Sequence, residues 1–209
     1  HKITNQRYSI SGLPCLYIAS STYLAWEELG RPNYQTCNFC LLANTFRLHY
    51  FDLCIPASVS SLNDILKTCL ALASSLKSQK GHIFKLEYIL PQCLLQAITA
   101  NHDYANDGIG IRYYSVPFLN KDTNTFKIDF ENEESTYRFI NIVIPATSPK
   151  KSGLSPLLKK LFEQSPTISI MDLNLKNINI DTNTSPDNND EYYRSQFYVL
   201  ESHLYTMLK

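Results

Sequence analysis

The chain predicts an α+β fold, a compact mixed sheet with flanking helices, and three observations carry that reading. Apolar runs of strand length, such as Cys15–Ala19 (CLYIA) and Phe139–Pro145 (FINIVIP), stand beside segments whose apolar residues recur at helical spacing, such as 62–76. The two kinds of segment do not alternate in the regular strand–helix–strand rhythm of a doubly wound sheet. At 209 residues the chain is long enough to bury one well-formed core.

Each element has a local reason. Gly12-Leu13-Pro14 turns the chain into the strand CLYIA. Ser20, Ser21 and Thr22 are helix-capping types, so a helix runs from Thr22 to about Gly30 and is stopped by Gly30 and Pro32. Glu27 and Glu28 then sit about 100° apart around its axis, so at most one of them faces any one site. Asn38 to Leu53, rich in Leu, Phe and Tyr with alternation at Phe46, Leu48 and Tyr50, reads as one bent strand or a pair. Ser61-Leu62-Asn63-Asp64 is a capping box, and Leu62, Ile65, Leu66, Cys69, Ala73 and Leu76 repeat behind it as an amphipathic helix ending before Gly81. Pro91 opens a further helix, PQCLLQAITAN.

A strand follows near Ile109 to Ser115, then a polar, hairpin-like excursion, then FINIVIP, the clearest buried strand. Ser155-Pro156 caps a helix carrying Leu157, Leu158, Leu161 and Phe162; Thr167 to Leu173 has strand character. Ile178 to Glu191 is a polar loop, and Tyr192 to Leu208 returns to aromatic and aliphatic residues. The expected organisation is a core over 1–146 with a C-terminal extension, 147–209, packing on it as a single domain.

Composition excludes several classes. Nineteen basic and nineteen acidic residues cancel, which argues against nucleic acid or an anionic membrane as a direct partner. No apolar run reaches the roughly 18 residues of a membrane helix, and His1 is not followed by a signal-peptide pattern, so a soluble, cytoplasmic protein is expected. The six cysteines are scattered, several inside apolar runs, as in a reducing compartment. Cys37 and Cys40 form a lone CxxC with no second pair to complete a zinc site, so no metal is expected. GxGxxG, GxxxxGK, HExxH and GxSxG are all absent.

The stretch Arg7 to Leu29 (RYSISGLPCLYIASSTYLAWEEL) delivers a cation, tyrosines and two carboxylates from a turn, a strand and a helix. That set suits a small-molecule site that holds an anionic ligand and stabilises positive charge beside it. Together with FKLEYILPQCLLQAI, and with DGIGIRYYSVP followed by INIVIPA, it resembles the RES domain, a family named for its Arg, Glu and Ser residues. The three blocks lie in the family's order and span Arg7 to Ala146, about two-thirds of the chain.

The resemblance implies a bacterial toxin of a type II toxin–antitoxin pair. Such an enzyme consumes NAD by phosphorolysis or hydrolysis of the nicotinamide–ribose bond, on a fold like that of ADP-ribosyltransferase toxins. It also implies a cognate antitoxin as partner, with a homo-oligomer left open. By position it assigns Arg7 as the motif arginine, Tyr17 as the strand tyrosine, Ser115 as the motif serine and Glu28 as the glutamate, with Glu27 the alternate. The chemistry of the side chains fits. A carboxylate stabilises an oxocarbenium-like ribose, and a guanidinium offers bidentate donors to a pyrophosphate, Arg7 first and Arg112 second. Tyr17 and Tyr8 offer faces for stacking, and Ser115 a hydrogen bond. Inorganic phosphate is an expected co-substrate. Two other readings stand beside this one: an ADP-ribosyltransferase acting on a macromolecule, and a catalytically idle nucleotide-binding module.

Overall fold

A computed structural model describes residues 5–78, 84–100, 110–116, 136–146, 156–173 and 189–208. The hairpin-like excursion after Ser115, residue Ser155, and the polar loop up to residue 188 lie outside the described residues.

The fold is α+β, and its centre is a four-stranded sheet in the order β1-β6-β5-β4, built from β1 (Cys15–Ala19), β6 (Ile140–Pro145), β5 (Gly110–Tyr114) and β4 (Tyr50–Asp52). β6 runs antiparallel to both β1 and β5, while β4 joins β5 in parallel. The apolar run FINIVIP takes the inner position because a strand flanked on both edges and covered on both faces hides its whole backbone and most of its side chains. Gly110 is required where β5 meets β6: a Cβ there would stand 2.4 Å from the Val143 carbonyl oxygen.

Helix α1 (Thr22–Glu28) follows β1 at once, its first turn closed by the Ser21 hydroxyl accepting from the Leu24 amide at 3.1 Å. It ends where Gly30 and Arg31 both adopt left-handed backbone, φ 79° and 57°. Glycine takes that conformation freely, whereas Arg31 is held in it by its guanidinium on Glu27. Helix α2 (Leu62–Ser74) starts at the expected capping box, with Ser61 and Asp64 satisfying each other's backbone amides. Helix α3 (Ile89–Ala100) follows a 3-10 turn at Leu86–Tyr88 and carries Pro91 in its first turn.

Residues 38–53 do not form one bent strand or a pair. They divide into β2 (Asn38–Phe39), β3 (Leu42–Asn44) and β4, each in a different sheet. β3 pairs with β7 (Phe162–Gln164) and β2 with β8 (Ile168–Ser169), partners more than 100 residues away. Phe162 therefore leaves the helix expected there, α4 (Pro156–Leu161), and the strand expected over 167–173 shortens to β8 and a 3-10 turn. Pairing with a distant edge decided both, and no local pattern encodes it. Asn189 to Glu191, expected as loop, open α5 (Asn189–Arg194), which is followed by α6 (Gln196–Thr206).

Side-chain alternation gives the sheet two faces. One buries Ile111, Tyr113 and Val143 against Tyr8, Ala71, Leu95 and Ile98; the other packs Ile144 against Leu158 and Leu161. A third cluster joins Tyr23, Leu24 and Trp26 of α1 to Ile140, Tyr192 and Phe197, so residues beyond 147 share buried clusters with those before it. Among the described residues, no helix is long and apolar enough to cross a membrane.

Candidate functional site

An open cavity of about 810 Å³ lies over the C-terminal half of β1 and the adjoining strands. Its wall includes Arg7, Tyr17, Glu28, Tyr88, Tyr113 and Asn141, a size and composition within the usual range for a small-molecule site. Register explains the sheet's share of that wall. Ala19, Asn141 and Tyr113 stand side by side on β1, β6 and β5, and the Tyr17–Val143–Ile111 row lies next to them on the same face.

Glu28 is the last residue of α1, and the strand–helix turn at Ser20–Ser21 aims that helix end back over the sheet. Its Oε1 accepts two hydrogen bonds, from Ser115 Oγ and from Asn141 Nδ2, both 2.6 Å. The donors are fully or almost fully buried, at 0% and 4% exposed, whereas the carboxylate stands at the open edge. Two neutral donors, Asn141 on β6 and Ser115 just past the end of β5, thus fix one oxygen of an acid, and Oε2 makes no described bond. Ser115 stands behind Glu28 rather than in the cavity wall, its backbone amide pinned to the Phe139 carbonyl at 2.8 Å. Tyr113 adds a hydroxyl held far above its usual range, by burial first and then by the Glu28 charge, so it is a neutral donor.

Across the cavity, Arg7 Nη1 donates to the Ser74 and Leu76 carbonyls at 2.9 and 3.0 Å, and the guanidinium lies over the Tyr88 ring at 5.1 Å. Among the described residues its Nε and Nη2 have no partner, and they are the donors left for a ligand. Lys77 and Ser78 follow α2 into the same wall. Tyr17 lines the cavity with its ring, while its hydroxyl accepts from the Tyr8 amide at 3.3 Å and meets Ser9 Oγ at 3.2 Å. Burial raises that hydroxyl, and the bond from Ser9 opposes the rise. Tyr17 therefore anchors the segment that carries Arg7.

The structure thus brings Arg7, Tyr17, Glu28 and Ser115 to one place, and it sends three other expected residues elsewhere. Glu27 is buried on a different face of α1, bound by the Tyr23 hydroxyl and by Arg31 Nη2 and Nε at 2.5 and 3.0 Å. The 100° step between neighbouring helical residues separates it from Glu28. Tyr8 is a core residue, 2% exposed, with its ring 4.6 Å from that of Tyr113, so it offers no face for stacking on a ligand. Arg112 points to the other face of the sheet, in register with Asp52, because strand side chains alternate and Tyr113 already takes the cavity face.

Asn141, Tyr113, Tyr88 and Lys77 were not read from the sequence. One signal was available for the first: Asn141 is the lone amide inside FINIVIP, and a polar side chain in a doubly buried strand needs a partner. Cys37 and Cys40 are free thiols, and among the described residues no group of three or more His, Cys, Asp or Glu is arranged to hold a metal.

Fold and site together define the class: an α+β protein whose sheet carries an open cavity with a doubly hydrogen-bonded carboxylate on one side and an arginine on the other. No family model matches the chain, and no solved structure matches it. The chain is similar to a protein described as "Putative toxin YopC" of Bacillus subtilis (strain 168), 28% identical over 189 residues that make up 80% of this chain and 40% of the relative. It therefore spans about 40% of that relative's length.

Proposed function

We propose that this chain is a toxin enzyme that cleaves the nicotinamide–ribose bond of NAD, with phosphate or water as acceptor, and that a cognate antitoxin restrains it in the cell. The observation that carries the reading is the Glu28 carboxylate fixed by Ser115 and Asn141 in the wall of a cavity that Arg7 also lines. Similarity to the relative described as "Putative toxin YopC" and the resemblance to the RES motifs point the same way.

In the proposed reaction, the bond between the ribose anomeric carbon and the nicotinamide nitrogen breaks, and its electron pair neutralises the cationic ring. Nicotinamide departs without needing a proton. The carbon left behind has oxocarbenium character, which an adjacent carboxylate stabilises. An oxygen of phosphate or water then bonds to that carbon, and Glu28 orients it; a water oxygen gives up its proton to solvent in forming ADP-ribose. Arg7 Nε and Nη2 face the pyrophosphate, for which a planar guanidinium is the best-matched donor. The ring of Tyr17 gives a flat wall for a base.

Purified protein incubated with NAD, with and without phosphate, tests this directly. Nicotinamide release, with ADP-ribose or its phosphorylated form as the other product, is expected. Folded protein that neither consumes NAD nor releases nicotinamide with any acceptor overturns it, and label transferred to a macromolecule identifies an ADP-ribosyltransferase instead.

A further inference from the structure

The sequence block FKLEYILPQCLLQAI carries Tyr88 and Gln92, which the proposed reaction does not use. They stand four residues apart, the spacing that brings two side chains to one face of a helix. Tyr88 closes the 3-10 turn and Gln92 lies in the first turn of α3, next to the fully buried Pro91. Leu95 and Ile98 bury the same helix in one cluster with Tyr8, the neighbour of Arg7. Helix α3 is thereby fixed against the N-terminal segment.

Gln92 meets that segment at two points. Its Nε2 donates to the Gln6 carbonyl at 2.9 Å and to the Ser9 carbonyl at 3.3 Å. A side-chain amide nitrogen carries two N–H groups, and here both have an acceptor. The two carbonyls lie on either side of Arg7, and the Gln6 amide donates to the same Ser9 carbonyl at 3.0 Å, which closes the loop between them. One side chain on a packed helix therefore sets the backbone from which Arg7 departs.

Tyr88 acts at the other end of the arginine. The Arg7 guanidinium carbon stands 5.1 Å from its ring centre, and its hydroxyl accepts from Lys85 Nζ at 3.3 Å. Arg7 Nη1 is occupied by the Ser74 and Leu76 carbonyls. The backbone, the plane and one nitrogen of this arginine are thus held before any ligand arrives. A guanidinium binds phosphates through N–H groups in a fixed fork, and a side chain already ordered loses less freedom on binding. Gln92 is not in the cavity wall, so its effect on a ligand passes through Arg7.

We propose that Gln92 is the positioning residue of the anion site: by clamping residues 6 and 9 it presents Arg7 Nε and Nη2 to the diphosphate of the ligand, with the guanidinium seated on Tyr88. This rests on Arg7 facing a diphosphate, as in the proposed reaction.

The test reads binding rather than turnover, with ADP as the probe in titration calorimetry. Gln92→Met keeps the length of the side chain and removes both donors. It is expected to weaken ADP binding by about 3- to 10-fold, the range of one ordinary hydrogen bond or two, with the far-ultraviolet circular dichroism unchanged. Arg7→Met is expected to weaken ADP binding as well. In that background Gln92→Met is expected to change the ADP dissociation constant by less than about 1.5-fold, since a residue that acts through Arg7 then has nothing to act on. An equal loss in both backgrounds overturns the proposal, as does an unchanged affinity in the single variant or a parent chain that does not bind ADP. Should Arg7→Met fail to fold, adenosine supplies the missing arm. Lacking the diphosphate, it is expected to bind the parent and Gln92→Met within about twofold of each other, and an equal loss for adenosine and ADP overturns the proposal. Nicotinamide release is scored apart. A chain that keeps the coupling and never consumes NAD loses the proposed function and keeps the anion site, whereas one that consumes NAD with ADP affinity indifferent to Gln92 keeps the function without this role for Gln92.

Discussion

Asn141→Leu is the most direct perturbation of the site. The leucine keeps the branched shape and heavy-atom count of the amide it replaces, with bulkier methyl ends, and enters a strand that is apolar on both sides of it, so one donor to Glu28 Oε1 is lost. A hydrogen bond to a charged group is worth about 1.5–3 kcal/mol. If that energy serves to hold the carboxylate against the ribose in the transition state, its loss lowers kcat by about 10- to 150-fold. Ser115→Ala removes the second donor to the same oxygen and is expected to cost a similar factor. Because both donors position one atom, the double variant should fall short of the product of the two single losses. Nicotinamide release at saturating NAD gives kcat, and its NAD dependence gives KM. A folded Asn141→Leu protein with kcat within about twofold of the unmutated chain, or a loss wholly in KM, refutes the reasoning.

Glu27 and Glu28 should separate cleanly: Glu27→Ala removes the partner of Tyr23 and Arg31 and is expected to cost about 1–3 kcal/mol in denaturant unfolding while the folded protein keeps its turnover. Glu28→Gln should do the reverse, lowering turnover by about 10²- to 10⁴-fold at little cost in stability. Phe197→Ala opens a cavity against Tyr23 and Trp26, whose rings lie 5.3 and 5.4 Å from that of Phe197, and is expected to cost about 3–5 kcal/mol in a single unfolding transition. Burial raises the Glu201 carboxyl, which accepts from the Tyr192 hydroxyl and the Thr22 amide. The unfolded chain therefore releases this proton first, at about pH 4.3, and from there upward stability falls until the folded carboxyl ionises too. Glu201→Gln should remove that downward slope, read as the difference in thermal midpoint between variant and parent across the acid range.

Much of the framework was legible because it is local. The Ser61–Asp64 box, the Ser21 cap, the Gly30 stop and the largely apolar FINIVIP run each bring their own physical cause within a few residues. Residues 38–53 were not legible, since β2 and β3 are strands only by virtue of edges contributed by β8 and β7. The stripe on α2 shows the limit of pattern: its period announces a helix, yet Leu62, Ile65, Leu66 and Leu72 stay exposed while Ala71 and Ser74 are the buried residues.

The site divides in the same way. The sequence by itself determined that an arginine, a tyrosine and a pair of acids come from the N-terminal turn, strand and helix, because spacing and capping fix those elements locally. Only the tertiary structure decided which acid faces the cavity, that Asn141 and Ser115 grip it, and that Tyr8 and Arg112 face elsewhere. Which side of a strand or helix meets a neighbour depends on register with distant chain, 87 and 113 residues away for Glu28 and 26 to 32 for β5, and that register is set by the packing of the whole sheet.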